Sequence, residues 1–281
     1  MKKIVFKSEY FNILDTLECG QVFRFSPYKQ GFLVMSKDKC CYAYTANNDT
    51  VIECNDCDYQ YFYNYFDLNR DYAKIVKSAL NQNIDILSLS AKLGKGIRIL
   101  NQDPLESLFS FIISQNNNIK RIKGIIEGLC ASLGDKKSFL GVEYYAFPSA
   151  RVMATKDESF YKSLGLGYRA EYIRRLAEEV DKGIIQIERL KDLSTQELTK
   201  SLISIYGVGP KVANCVTLFG FHKSDSFPVD TWIEKVYKEN FKGKLKDRNK
   251  ICMEMTQRFK EDAGYFQQYL FYYKRSLEKT N

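Results

Sequence analysis

A chain of 281 residues is too long for one small core and short for three domains, so two are expected. With 45% hydrophobic and 27% charged residues it is neither disordered nor fibrous, and no run approaches the roughly 20 apolar residues of a membrane span. The formal net charge of +8 favours an acidic partner, of which nucleic acid is the commonest.

The opening Met1-Lys2-Lys3-Ile4-Val5-Phe6 begins like a secretion signal, but Lys7 and Glu9 break the apolar run and no small-residue cleavage site follows. A cytoplasmic protein is therefore expected, nucleoid-associated if prokaryotic. In that compartment the eight cysteines are thiols or metal ligands before they are disulfides. Cys54 and Cys57 have zinc-ligand spacing, yet adjacent Cys40 and Cys41 make a poor half-site for a tetrahedral ion. Only Cys252 follows Cys215, too few for a four-cysteine iron–sulfur cluster near the C-terminus.

β-prone runs at 22–25, 32–35, 41–45 and 50–54, some separated by turn chemistry at 27–31 and 47–49, predict an antiparallel meander. A helical stretch near 71–89 is expected to pack on one of its faces. Gly94-Lys95-Gly96 reads as a linker, which sets the domains at 1–98 and 99–281. Beyond it the apolar period becomes 3.6. Asp103-Pro104-Leu105-Glu106 marks a helix start, followed by a stripe of Leu105, Leu108, Phe109, Ile112 and Ile113. A second stripe runs through Ile119, Ile122, Ile126 and Leu129, and Ser194-Thr195-Gln196-Glu197 is a capping box. The expected class is α+β: an antiparallel sheet domain with a packed helix, then an all-helical domain.

The chemistry sits in Leu202-Ile203-Ser204-Ile205-Tyr206-Gly207-Val208-Gly209-Pro210-Lys211. One helix ends near Ile205, Gly207 and Gly209 permit unusual backbone angles, and Pro210 opens the next helix. Such a hairpin presents backbone N–H groups at a helix N-terminus, which suit a phosphate oxygen and carry no base information. Lys211 lies in the first turn, where the positive end of the helix dipole disfavours an ammonium, and a neutral amine can attack an electrophilic carbon. A lysine that only contacts phosphate fits this stretch equally well. Downstream, Phe227-Pro228-Val229-Asp230 places a carboxylate at a further helix start, either as a plain N-cap or as a catalytic charge.

Taken together, Gly-Val-Gly-x-Lys followed by Pro-Val-Asp resembles the glycosylases named for a helix-hairpin-helix, a Gly/Pro-rich loop and an aspartate, and among them the 8-oxoguanine DNA glycosylases. The resemblance extends through Cys19-Gly20-Gln21-Val22-Phe23-Arg24-Phe25, Asp103-Pro104 to Asn116-Asn117-Asn118, Leu164-Gly165-Leu166-Gly167-Tyr168-Arg169-Ala170, and Ala263-Gly264-Tyr265-Phe266-Gln267 with Leu270-Phe271. It implies a bifunctional enzyme, a monomer acting on double-stranded DNA with 8-oxoguanine opposite cytosine, that needs no metal or redox cofactor. By resemblance, Lys211 is the amine nucleophile and Asp230 the carboxylate. The flipped base lies between Cys215 and Phe271, Gln267 reads its Watson–Crick edge, and the Gly20 carbonyl accepts from N7–H of the lesion. Asn116 fills the vacated space, Tyr168 wedges beside it, Arg121 and Arg169 contact the orphaned cytosine, and Gly207 and Gly209 meet phosphate. When an extruded purine occupies the cleft, the amine is expected to be uncharged, shielded from solvent and within bonding distance of a deoxyribose carbon, with Asp230 near it. Three departures stand out: Trp232 where the family often has His, Tyr206 where vertebrate members often have Pro, and Tyr272-Tyr273-Lys274. Two alternatives remain, a monofunctional alkyl-base glycosylase of the same superfamily and a non-catalytic hairpin protein that only clamps DNA. Lys211 with Gly20-Gln21 argues against the first, and Asp230 against the second.

Overall fold

Residues 1–279 are described, in a computed structural model. Short β-prone runs within the first fifty-four residues build a five-stranded antiparallel sheet. Its strands are β1 (Lys2–Lys7), β2 (Phe25–Tyr28), β3 (Gly31–Ser36), β4 (Lys39–Ala46) and β5 (Asp49–Cys54), in the order β1-β5-β4-β3-β2. The signal-like opening is thus an edge strand, with Ile4 buried and Val5 60% exposed on opposite faces. β2 starts at Phe25 and not at 22, because Phe23 turns into the helical core and the Arg24 guanidinium pairs with buried Glu106 at 3.2 Å. Pro27 falls inside β2, on the outer edge, where a missing N–H breaks no ladder.

Short helix α1 (Ile13–Glu18) follows β1, and α2 (Tyr59–Tyr65) follows β5. Phe62, Tyr65 and Phe66 cover one sheet face, packing on Val34, Cys41, Ala43 and Ile52. The sequence expectation placed the covering helix at 71–89. That stretch is two helices, α3 (Tyr72–Asn81) and α4 (Asp85–Leu93), and both belong to the helical core. The reason is their apolar faces: Ile75, Val76, Ala79, Leu87 and Ala91 are buried with residues of the C-terminal helix. α2 escaped notice because its tyrosine-rich sequence has strand propensity.

Gly94–Gly96 is accordingly a packed crossing. The Gly96 carbonyl accepts from Asn12 N at 2.7 Å and from the Thr16 hydroxyl at 3.2 Å. Just beyond it Arg98, fully buried, donates to the carbonyls of Tyr10, Phe66, Asp67 and Arg70 and so ties down the loops on the sheet side.

The remaining helices are α5 (Pro104–Ser114), α6 (Ile119–Leu133), α7 (Ala150–Ala154), α8 (Glu158–Ser163), α9 (Arg169–Asp181), α10 (Ile187–Leu190), α11 (Thr195–Ile203), α12 (Pro210–Phe219), α13 (Thr231–Asn240), α14 (Arg248–Phe259) and α15 (Ala263–Lys279). Asp103 caps α5 through Leu105 N at 3.1 Å and Glu106 N at 2.9 Å, and Ser194 with Glu197 forms the expected capping box on α11. A hairpin, β6 (Lys136–Phe139) and β7 (Val142–Tyr145), interrupts the helices unannounced; each strand has only four residues. Its Phe139 packs on Leu33, Cys40 and Tyr42, the sheet face that α2 leaves open. No helix among the described residues is long and apolar enough to cross a membrane.

Candidate active site

α11 and α12 are joined by a tight turn that closes with Val208 N donating to the Ile205 carbonyl at 3.0 Å. Gly207 has φ +84, and a Cβ built there would stand 2.3 Å from the Tyr172 ring, so both backbone and packing demand glycine. Gly209 differs. Its φ is −85, open to any residue, and a Cβ there would meet nothing within 4 Å. The fold gives no reason for glycine at that position. Pro210 is the first residue of α12, as expected.

Lys211 in the first turn of α12, and Asp230 at the cap of α13, line one pocket together with Gly20, Cys215, Gln267 and Phe271. All six residues named for chemistry and base recognition therefore converge, from four separated parts of the chain. The Lys211 ammonium nitrogen lies 5.6 Å from the centre of the Phe111 ring. No ion pair links Lys211 and Asp230 among the described residues. In the free chain Lys211 is exposed, on the rim of the pocket; the expected shielding refers to the state with an extruded purine in the cleft.

Asp230 divides its labour between two oxygens. Oδ1 accepts from Trp232 N at 3.0 Å and Ile233 N at 2.9 Å, which caps α13, while Oδ2 has no protein donor among the described residues. Burial lifts its carboxyl above the ordinary aspartate range, against the two amides and the nearby Lys211 charge that pull it down. Cys215 is 4% exposed, four positions after Lys211 on the same helix face. Burial pushes its thiol up despite the neighbouring Lys211, so the wall presents a neutral, polarisable sulfur.

The opposite side of the pocket is built by the Cys19–Gly20 turn against α15. Gly20 has φ +89, and a Cβ there would press on the Phe271 ring at 3.3 Å. Gln268 Nε2 donates to the Cys19 carbonyl at 2.8 Å, and the buried Gln21 side chain bonds Thr16 O, Arg98 O and Leu100 N, which fixes the turn. The Gly20 carbonyl itself accepts nothing among the described residues. Gln267 is 5% exposed, and its Oε1 is buried without a partner.

Five lining residues were not assigned to the site by sequence reasoning: Cys19, Phe111, Phe219, Pro228 and Gln268. Phe111 and Phe219 stack at 5.6 Å with planes 15° apart. Phe219 was legible in principle, being one turn beyond Cys215 on the face of Lys211. Phe111 stands outside the apolar stripe read for α5, and an aromatic off its stripe is a signal of that kind.

Of the residues assigned to duplex contact beyond the hairpin glycines, Asn116 and Tyr168 lie on the loops before α6 and α9, and Arg121 and Arg169 in the first turns of those helices. Asn116, with φ +44, Arg121 and Tyr168 are exposed, and Arg121 Nη2 donates to the Gly165 carbonyl at 3.0 Å. Arg169 departs from the expected free donor. It is 4% exposed, with Nε bonded to Gln115 O at 2.8 Å, Nη1 to Leu166 O at 3.2 Å and Nη2 to Asn116 O at 2.9 Å. The loop carbonyls outcompete solvent for this planar fork, so contact with a base requires it to release them.

Comparison with known proteins adds the following. Residues 3–108 match the family model described as the N-terminal domain of 8-oxoguanine DNA glycosylase, and residues 109–261 the model of the HhH-GPD superfamily of base excision DNA repair proteins. A probable N-glycosylase/DNA lyase of Methanothermobacter thermautotrophicus is 33% identical over 236 residues, 75% of this chain and 72% of that protein. The N-glycosylase/DNA lyase of Saccharomyces cerevisiae is 38% identical over 164 residues, which span 54% of this chain and 44% of the yeast protein. Among solved structures, the Clostridium acetobutylicum 8-oxoguanine glycosylase/lyase bound to duplex DNA with cytosine opposite 8-oxoG superposes with a TM-score of 0.91, at 34% identity, over 96% of this chain and 93% of that one.

Proposed function

This chain belongs to the HhH-GPD superfamily of base excision DNA repair proteins, and from that premise we propose that it removes 8-oxoguanine from duplex DNA and nicks the strand at the resulting site. One observation carries the reading: an amine, a carboxylate and four base-recognition groups, scattered from Gly20 to Phe271, line a single pocket.

A base inside a duplex is out of reach and must be flipped out, with the gap filled behind it. Asn116 and Tyr168, exposed on the loops beside the hairpin, fill and wedge the gap, and Arg121 meets the orphaned cytosine. The extruded base enters between the neutral Cys215 sulfur and the Phe271 ring. Guanine and its 8-oxo form differ at N7, a bare acceptor in one and a donor in the other. The unpaired Gly20 carbonyl repels the first and accepts from the second, a contrast that discriminates better than size alone. The unpartnered Gln267 Oε1 gains a donor from the Watson–Crick edge.

Lys211 Nζ then attacks C1′ with its lone pair. The N-glycosidic bond breaks, and its electrons leave with the base, which takes up a proton. Asp230 Oδ2, free of the helix cap, stabilises the positive charge that develops on the sugar. The nitrogen then loses a proton and the C1′–O4′ bond opens, O4′ taking up a proton, which leaves a Schiff base between Lys211 and C1′; loss of a proton from C2′ of that Schiff base expels the 3′ phosphate by β-elimination. The duplex laid over the rim supplies the shielding that the free chain lacks at Lys211.

The test is borohydride trapping with a duplex containing one 8-oxoguanine. A covalent adduct is expected with the wild-type chain and none with Lys211→Gln. Undiminished base release by Lys211→Gln rejects lysine as the nucleophile, and inactivity of the wild type on this duplex rejects the substrate.

A further inference from the structure

Three loops face the duplex in the reading above: the α5–α6 loop with Asn116, the α8–α9 loop with Tyr168, and the hairpin turn. Nothing in the fold obliges them to hold a common position, because each belongs to a different helix pair. Yet all three are bridged. Gln115 Nε2 donates to the hairpin carbonyl of Gly207 at 2.9 Å, while its own carbonyl accepts from Arg169 Nε at 2.8 Å and Tyr168 OH at 3.5 Å. A run of aromatic edges lies alongside. Tyr168 meets Tyr172 at 5.8 Å and 74°, and Tyr172 meets Tyr206 at 5.3 Å and 83°, both edge-to-face. Guanidinium groups close the two ends, Arg169 at 4.4 Å over Tyr168 and Arg175 at 4.1 Å over Tyr206. The middle ring lies against Gly207, where no Cβ fits.

The geometry points to Gln115 and Tyr172 as positioning residues: a strut that locks the gap-filling loop and the wedge to the phosphate-binding hairpin, so that the three engage a duplex as one body. Neither side chain touches substrate in this arrangement. Their work is to set where Asn116 and Tyr168 stand when the hairpin seats on phosphate. A strut of this kind matters to base extrusion, where geometry across loops decides the rate, and is irrelevant to steps that follow extrusion. Tyr206 is the outer ring of the strut, and its hydroxyl donates to Glu171 Oε2 at 3.4 Å. The Tyr172 hydroxyl has no partner among the described residues, so the ring alone carries its part.

The inference rests on the proposed glycosylase reading for its functional consequence, but not for its physical test. Hydrogen exchange of the free protein comes first. In Tyr172→Leu and in Gln115→Glu, which swaps the Nε2 donor for an oxygen facing the Gly207 carbonyl, amides of 115–121 and 165–169 are expected to exchange faster together, by roughly tenfold, the scale of one lost hydrogen bond. α13 should be unchanged, and Tyr172→Phe should match wild type. On lesion duplex with 2-aminopurine beside 8-oxoguanine, the extrusion phase should slow about tenfold in both variants, while strand nicking at a preformed abasic site stays at the wild-type rate. Wild-type exchange in both loops of both variants overturns the strut, as does loosening of one loop without the other, or a Tyr172→Phe variant as impaired as Tyr172→Leu. Gln115→Glu keeps the test decisive if Tyr172→Leu does not fold. If the wild type fails to release the base, the glycosylase reading falls, and the exchange data still decide the strut.

Discussion

Asp230 caps a helix with one oxygen and, in the proposed reaction, faces the sugar with the other, so two substitutions separate the roles. Asparagine keeps a carbonyl oxygen for Trp232 N and Ile233 N and ranks with aspartate as an N-cap, whereas alanine removes both bonds. Loss of the cap costs about 1 kcal/mol, which in a chain of this size lowers Tm by roughly 2–4 °C. The charge works in the opposite direction. Burial holds the folded carboxyl above its ordinary range, so the folded state binds that proton more tightly than the unfolded chain does. Stability from this group is therefore fully present below the unfolded pKa and is lost as pH rises through the folded one. Asp230→Asn should then be at least as stable as wild type at pH 7, with the difference vanishing in acid, where both states of the wild type are protonated. Base release should tell the reverse story. Removing the charge that faces the developing cation slows single-turnover excision by about 10²-fold or more while lesion binding persists. The sole tryptophan, Trp232, sits beside the substituted residue and reports thermal unfolding by its fluorescence. An Asp230→Asn variant that releases base at the wild-type rate removes the carboxylate from the mechanism. One that melts several degrees below wild type at neutral pH refutes the balance of cap and burial.

Two further predictions concern Gln267 and the pair of hairpin glycines. An unpartnered buried acceptor costs about 1–3 kcal/mol, so Gln267→Met, similar in length and apolar, should raise Tm by roughly 2–4 °C and lower kcat/KM on the lesion more than about tenfold; a variant that is neither more stable nor impaired denies Gln267 its role. The two hairpin glycines should part company. Gly207→Ala forces a Cβ into the Tyr172 ring at a left-handed φ and should destabilise the chain by more than about 1 kcal/mol. Gly209→Ala should melt as wild type yet bind duplex DNA more weakly in titrations, and unchanged affinity there would mean that no ligand approaches that α-carbon.

Where sequence reasoning succeeded, the signal was local. Asp103-Pro104, the capping box at Ser194 and the Gly-Val-Gly turn each encode their geometry within four residues, because capping and positive φ are decided by neighbours in the chain. The pocket was legible in a different way, through a resemblance that placed six residues without saying how they meet. What stayed hidden is tertiary. The aromatic run of α2 has strand propensity and becomes helix only by packing on the sheet. α3 and α4 look like companions of the sheet in sequence order, yet their apolar faces are matched to the helical core. The exposure of Lys211 and the burial of Arg169 depend on which carbonyls and rings surround them, information that no local pattern contains.

Those two side chains suggest how the proposed enzyme avoids acting where it should not. The walls of the pocket are finished in the free chain: Cys215 and Gln267 are buried, and the Cys19–Gly20 turn is pinned by Gln268. The reactive amine, by contrast, stands at an open rim. Water there competes for an electrophilic sugar carbon, and in the proposed reaction that competition ends only when a duplex covers the rim and an extruded nucleotide fills the pocket. Recognition is thus preorganised and reactivity is not. A base that enters without supplying a donor to Gly20 leaves a carbonyl and a lone pair opposed, stays too briefly for the rim to close, and is returned to the helix before Lys211 is shielded.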